Sequence, residues 1–343
     1  MFNSETKGLP VPTHTTTVAD LDEKSLLARI FPRLGASNAL LGPGDDAAVI
    51  ASPDGRTAIS IDTLVQNCDF RLVWPSGYRT SGFDVGWKCA AQNLSDINAM
   101  GGVATSLVVS LTLPGDTEVA WVEDLADGLA AAIRTLTDDG GRCSVVGGDL
   151  GRGREIVVTA AVTGDLQGRG PVLRSGARPG DQLAHAGSLG LAAGGLAVLE
   201  SNLAYAAMDE ALLALVAAQC RPRPPLNHGP RAAAAGATAM LDISDGLVRD
   251  ARRIARASSV GIDLDPAILA PLAASLQPEA VKVGADALAW VLGGGEDHGL
   301  LATFPAAAAL PEGFLRLGSV NDGAGVTYGG EGPRVEGWDH FAG

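Results

Sequence analysis

Apolar residues recur along this chain first at helical and then at strand spacing. Asp22 suits a helix N-terminus, and Leu26, Leu27, Ile30 and Phe31 follow it on one helical face. LGPGDDAAVI (41–50) is a Gly/Pro turn that feeds an apolar strand, and TAISID (57–62) reads as a second strand. Residues 78–100 form a helix that Gly101–Gly102 stops. TSLVVSLTLP (105–114) is a strand, 117–138 an amphipathic helix, and CSVVGGD (143–149) and EIVVTAAVTGD (155–165) two more strands. The segment QGRGPVLRSGARPGD (167–181) is dense in Gly, Pro and Arg and marks a domain boundary.

Beyond the boundary, QLAHAG is a short strand, 189–200 and 208–219 are helical, and RPRPP breaks the chain. Residues 230–237 read as helix, AMLDIS (239–244) as strand, 246–258 as helix and GIDLD (261–265) as strand. A helical stretch carries the chain to LGGGEDHGLLATF (292–304), and RLGSV (316–320) and VTYGG (326–330) end the sheet. Strands and helices mix without a βαβ rhythm, so the fold class is α+β. Residues 1–20 are expected to be a flexible leader, 21–166 an N-terminal domain and 167–343 a C-terminal domain.

Composition narrows the function. At 343 residues and 46% apolar the chain can bury two cores, and only 4% of it is aromatic, so small aliphatics must fill them. No apolar run is long enough for a membrane span, and the polar N-terminus lacks a signal segment. Four scattered cysteines without a CxxC pair indicate neither a zinc site nor a disulfide framework, and cytoplasmic residence is the simple expectation. A net charge of −14 argues against nucleic acid as a partner.

An acidic protein repels phosphorylated substrates unless its carboxylates hold divalent cations. Carboxylates do gather at strand and helix ends: Asp45–Asp46, Asp62, Asp149, Asp242 with Asp245, and Asp96. Several hard oxygen donors are what Mg²⁺ takes, with phosphate oxygens and water completing the shell. An Asp beside Gly is by itself often a turn or a cap, so only the set points to metal. GPGDD, GGDLGRGR and LGGGED offer backbone N–H groups to phosphate, although no GxxxxGK[ST] loop occurs. Lys88 lies two turns before Asp96 and either reaches phosphate or is solvated. No GxSxG elbow is present, so no covalent nucleophile is expected.

In order along the chain stand GDDAAV (44–49), SIDTLV (60–65), NLSDINAMG (93–101), GGD (147–149), RSGARPGD (174–181), DISDGL (242–247), GGGED (293–297) and GWDHF (337–341). With these motifs the sequence resembles the thiamine-monophosphate kinase family, in the superfamily of aminoimidazole ribonucleotide synthetase. The resemblance runs from about residue 22 to the C-terminus. It implies a two-domain aminoimidazole ribonucleotide synthetase-like fold, whose N-terminal domain binds ATP and Mg²⁺ and forms a shared barrel in a homodimer. The C-terminal domain would contribute to the nucleotide and substrate sites. The implied activity is direct transfer of the ATP γ-phosphoryl to thiamine monophosphate. The family's metal positions fall on Asp46, Ser60, Ile61, Asp62, Asp96, Asp149, Asp242 and Asp245. Its ATP contacts fall on Gly148, Asp149, Arg174 and Ser244, and its substrate contacts on Asp69, Glu296 and Trp338.

Three positions depart from the family pattern. Ile61 stands where a threonine is usual, Asp69 where a histidine is usual, and Glu296–Asp297–His298–Gly299 where the family reads Glu-Asp-Tyr-Glu. The last two lie toward the acceptor. A superfamily enzyme with another acceptor and a non-catalytic nucleotide or thiamine-phosphate binder therefore stand beside the leading reading.

Overall fold

The computed structural model of the chain describes residues 15–36, 39, 40, 50–137, 142–333, 335, 337 and 338. The strand expected within 41–50, and Asp46 with it, lies outside the described residues. Two sheets, each with its own apolar core, organise the rest.

The first sheet holds β1 (Ala58–Val65), β2 (Val103–Leu113), β3 (Ser144–Arg152) and β4 (Val157–Asp165), in the order β1-β4-β2-β3. Pairing is antiparallel except between β2 and β3. Alternation along β4 buries Val158, Ala160 and Val162 on the inner face, where they share a core with α2 (Gly82–Ala99) and α3 (Val119–Leu136). These two helices approach closely because glycines line the contact. A Cβ on Gly86 would stand 2.1 Å from the Leu125 carbonyl oxygen, and one on Gly128 would stand 2.2 Å from that of Phe83. α2 starts at a reciprocal cap, with Ser81 accepting from the Asp84 N–H and Asp84 accepting from the Ser81 N–H. On the outer face of the sheet Ile59, Ile61 and Val108 are exposed.

A short helix α1 (Glu23–Ile30), capped by Asp22, precedes this sheet. The leader expected to be flexible through residue 20 is tied down at its end. Val18 N–H donates to the Thr117 carbonyl, Ala19 N–H to that of Gly115, and Val119 N–H to that of Thr16.

The second sheet runs β10-β7-β9-β5-β8-β6. Its strands are β5 (Gln182–Ala186), β6 (Ala239–Asp242), β7 (Gly261–Leu264), β8 (Leu300–Phe304), β9 (Leu315–Asn321) and β10 (Gly325–Tyr328). Helices α4 (Leu191–Glu200), α5 (Glu210–Cys220), α7 (Leu247–Ser258), α8 (Pro266–Val283) and α9 (Ala287–Gly293) cover it, and α6 (His228–Ala234) packs toward α2. The apolar run 300–304, given no element of its own from sequence, is a strand buried along its whole length. It lies between β5 and β6, and an alternating pattern is not to be expected where both faces are covered.

α2 is also the seam between the two halves. Trp87 Nε1 donates to the Pro222 carbonyl at 2.8 Å, Gly229 N–H to Asn98 Oδ1 at 2.7 Å, and Arg221 Nε pairs with Asp84 at 3.1 Å. Almost every residue of α2 is buried, including Lys88, Asn93 and Ser95. No helix among the described residues is long and apolar enough to cross a membrane.

Candidate active site at the domain seam

Carboxylates from both halves meet at the C-terminal end of α2. Asp62 points inward from β1, and the alternation that turns it inward turns Ile61 outward, 64% exposed. A metal contact at Ile61 would therefore use its backbone. Ser60, on the same side as Asp62, donates its hydroxyl to Asp96 Oδ2 at 2.5 Å. Ser95, one residue earlier on α2, donates to Asp242 Oδ2 at 3.0 Å. Asp242 ends β6 and also meets His298 Nδ1 at 3.2 Å.

This crowding has an electrostatic cost. Burial, then the charges of Asp242 and Asp62, push the Asp96 carboxyl up to about 7. Burial, with Asp242 and Asp69 adding to it, raises Asp62 as well. Burial opposes a charge on His298, but the bonded Asp242 carboxylate and the charges of Glu296 and Asp62 outweigh it and raise the imidazole pKa. His298 is thus the counter-charge of the cluster.

The carboxylate environment suits a hard cation. Among the described residues no group of three or more His, Cys, Asp or Glu side chains is placed to hold a metal ion by itself. Asp62, Asp96 and Asp242 are oxygen donors with too little positive charge around them, the setting in which Mg²⁺ binds through one or two carboxylates plus substrate phosphates.

Other expected metal positions are differently placed. Asp245 is ion-paired with Arg253 and lies 3.5 Å from Arg249. Asp149 is exposed on β3, at the opposite edge of the first sheet from Asp62, with Gly148 exposed beside it. Gly148 has a steric reason to be glycine, because a Cβ there would meet the Val109 carbonyl oxygen at 2.2 Å. Arg174 is exposed, and its carbonyl accepts from Ser258 Oγ on α7 at 2.8 Å.

The segments 242–246 and 293–299 run side by side. Ile243 N–H donates to the Gly299 carbonyl, His298 N–H to that of Ile243, and Glu296 N–H to that of Ser244. Glu296 and His298 both adopt positive φ, 65° and 51°, a conformation costly for a side chain and held here by those bonds. Asp297 points the other way and accepts from the Gly190 and Ala192 N–H groups at the start of α4. The backbone of Trp338 donates to the Asp245 carbonyl at 2.9 Å, which lays the C-terminal segment beside the same loop, with the indole 54% exposed.

Lys88 is neither solvated nor aimed at an open phosphate site. It is 4% exposed, lies 2.7 Å from Glu296 Oε1 and donates to the Asp69 carbonyl at 3.3 Å. The other oxygen of Glu296 accepts from Gln219 Nε2, on α5. Burial works to raise the Glu296 carboxyl, but Lys88 and Gln219 prevail and hold it below the ordinary range. Asp69 Oδ2 accepts from the Val65 N–H at 2.7 Å and so shapes the turn after β1. Gln219 was not foreseen from sequence, where it is one polar residue in an apolar helix.

Comparison with known proteins fits this geometry. The family described as AIR synthase related protein matches through its N-terminal domain at residues 44–166 and its C-terminal domain at 178–316. The thiamine-monophosphate kinase of Mycobacterium tuberculosis (strain ATCC 25618 / H37Rv) is 41% identical over 341 residues, 98% of this chain and 96% of the relative. The chain belongs to the thiamine-monophosphate kinase family.

A second kinase of this family, from Escherichia coli (strain K12), is 34% identical over 93% of this chain and 98% of its own length. Among solved structures, AaThiL complexed with AMPPCP and TMP matches with a TM-score of 0.73 at 29% identity, covering 96% of this chain and all of that one. Within the thiamine-monophosphate kinase family pattern, this chain's departures Asp69 and His298 both sit at the seam. His298 bonds Asp242, and Asp69 supports Lys88 through its carbonyl.

Proposed function

We propose that this protein is a thiamine-monophosphate kinase that transfers the γ-phosphoryl of ATP to the phosphate of thiamine monophosphate, giving thiamine diphosphate and ADP. The observation that carries the reading is 41% identity to such a kinase over nearly the whole chain, with the motif carboxylates Asp62, Asp96 and Asp242 gathered at one seam. Phosphoryl transfer of this kind asks mainly for positioning and charge neutralisation, which agrees with a site rich in carboxylates.

When bound, Mg²⁺ would supply neutralisation of phosphate charge, and Asp62, Asp96 and Asp242 are the side chains that would hold it, with Asp46 and Asp149 as family positions. Ser60 and Ser95 orient Asp96 and Asp242 by donating to them. Arg174, Ser244 and Gly148 stand on the nucleotide side. Glu296, Asp69 and Trp338 stand on the acceptor side, where the indole face suits a cationic thiazolium. The division into an N-terminal domain of residues 21–166 and a C-terminal domain of 167–343 is supported by one sheet in each.

We also infer a homodimer through the outer face of the first sheet, supported by exposed Ile59, Ile61 and Val108 on neighbouring positions. Cytoplasmic residence belongs to the same reading.

The test is a product assay with ATP, Mg²⁺ and thiamine monophosphate, with and without EDTA. Metal-dependent thiamine diphosphate, stoichiometric with ADP, is expected. Nucleotide binding without that product would favour another acceptor.

A further inference from the structure

The turn that carries Asp245 is gripped by the helix that follows it. Asp250, in the first turn of α7, is 0% exposed. Its Oδ2 accepts from the Asp245 N–H at 2.9 Å and from the Gly246 N–H at 3.1 Å. Further along α7, Arg253 donates from Nη1 to Asp250 Oδ1 at 2.6 Å and from Nη2 to Asp245 Oδ2. Asp245 is thus held twice, its backbone by Asp250 and its side chain by Arg253.

Helix capping accounts for only part of this. The first N–H groups of a helix lack partners within it, and Gly246 at the cap position brings no side chain to meet them. None could stand there, because its φ is 113° and a Cβ would lie 2.5 Å from the Gly293 carbonyl oxygen. Asp250 supplies the missing acceptor. Capping does not, however, require the link from Asp250 through Arg253 to Asp245. The Arg253 side chain is 35% exposed and could turn to water, but both of its terminal nitrogens are spent on this pair of carboxylates. A planar guanidinium spans two fixed carboxylates as an ammonium does not. Arg253 and the more distant Arg249 both take Oδ2 of Asp245, and Oδ1 takes part in neither contact.

We propose, resting on the reading of Asp245 as a metal position, that Asp250 and Arg253 are positioning residues for the metal-nucleotide site, fixing Asp245 so that its Oδ1 is presented to the cation. Both act through Asp245 rather than on the nucleotide. A guanidinium beside a cation site opposes the cation by its charge. Arg253 therefore helps only because the orientation that it imposes on Asp245 outweighs that repulsion. Partners that orient a metal-binding side chain in this way typically contribute about 10–100-fold in metal affinity.

The experiment follows thermal unfolding of the full chain in a fixed excess of the ATP analogue AMPPCP while Mg²⁺ is titrated. The quantity read is the Mg²⁺ concentration that gives half of the nucleotide-dependent shift. Arg253→Met and Asp250→Asn should each raise it about tenfold, with the KM for thiamine monophosphate unchanged at saturating Mg²⁺. Charge alone predicts the opposite for Arg253→Met, which removes a positive charge from the site. A lower half-point in that variant would overturn the proposal. So would an unchanged half-point with a lower melting temperature, the mark of a purely structural role. Should Asp250→Asn not fold, Arg253→Met at its partly exposed position still decides. Wild-type protein without any Mg²⁺-dependent shift would overturn the proposal outright. The titration needs no acceptor, so a chain that shows the shift but makes no thiamine diphosphate would fail the kinase reading alone, and the half-points would still decide the role of Asp250 and Arg253.

Discussion

Lys88 on α2 and Glu296 on the loop after α9 meet at 2.7 Å across the seam between the two sheets, with the lysine 4% exposed. Neither residue has a local partner of this kind, so the pair exists only when the halves dock. On the proposed reading, in which Glu296 serves the acceptor, it joins the docking of the two halves to the charge beside that acceptor.

Lys88→Met should therefore damage acceptor use before nucleotide use. Removing one partner of a buried pair typically costs about 3–5 kcal/mol, and Glu296, still 31% exposed, will recover part of that from solvent. The expected result is a KM for thiamine monophosphate raised at least about tenfold, with the KM for ATP little changed. Steady-state kinetics with each substrate varied in turn checks it. An equal rise in both would place Lys88 with the nucleotide instead.

Asp96→Asn should abolish turnover and yet stabilise the metal-free protein. Burial penalises the wild-type carboxylate most, and the charges of Asp242 and Asp62 add to the penalty. The neutral amide relieves this, so thermal unfolding in EDTA should move up by a few degrees, as about 1 kcal/mol does for a chain of this size. Turnover near the wild-type value would remove Asp96 from the metal positions.

Much of this site was legible in the chain because its carboxylates stand beside Gly or Ser at the ends of apolar runs. Asp62, Asp96 and Asp242 could be named for that reason, and the structure gathers them. Strand order is another matter. Asp149 has the same local signature as Asp62, but β2 and β4 separate their strands, and nothing local to residues 143–165 encodes that order. Lys88 could be read only as a phosphate contact or a solvated lysine, and Gln219 not at all, because nothing near either in the chain names its partner. Their meaning comes from Glu296, which lies 208 and 77 positions further along the chain.

The α2–α3 contact gives a prediction about stability alone. Gly86→Ala would drive a Cβ against the Leu125 carbonyl oxygen, 2.1 Å away, and backbone rather than a flexible side chain must give. Overpacking of this kind typically costs about 1–3 kcal/mol. Denaturant unfolding should show a lower midpoint with an unchanged slope, while the KM values of the folded fraction stay as they were.

Acid sensitivity should have one identifiable source in β5. Burial holds the His185 imidazole down to about 3, against an ordinary value of 6.5, and its Nε2 has no partner. The unfolded chain therefore takes up a proton near pH 6.5 that the folded chain refuses until about pH 3. Stability is fully present above pH 6.5 and falls as the pH drops toward 3, by up to about 1.4 kcal/mol per unit from this group. His185→Met removes the proton acceptor and leaves an apolar site filled. Unfolding free energies at pH 7.5, 6 and 5 should fall less steeply for the variant than for wild type. Parallel slopes would show that other groups carry the acid limb.

The outer face of the first sheet makes the assembly testable. Ile59 and Ile61 are 74% and 64% exposed on β1, and Val108 is 42% exposed on β2, all on the side away from α2 and α3. Apolar side chains at successive outward positions of a strand are a poor choice for a face that meets only water. The chain mass is 34.8 kDa, so light scattering should give about twice that value for wild type at micromolar concentration. Ile59→Glu with Ile61→Glu places two like charges on each copy of the face, and the pair of faces should then part. The double variant should scatter as a single chain while keeping the helical signal of the wild type. Wild-type protein that already scatters as a single chain would rule out the inferred homodimer and leave the exposed isoleucines without that explanation.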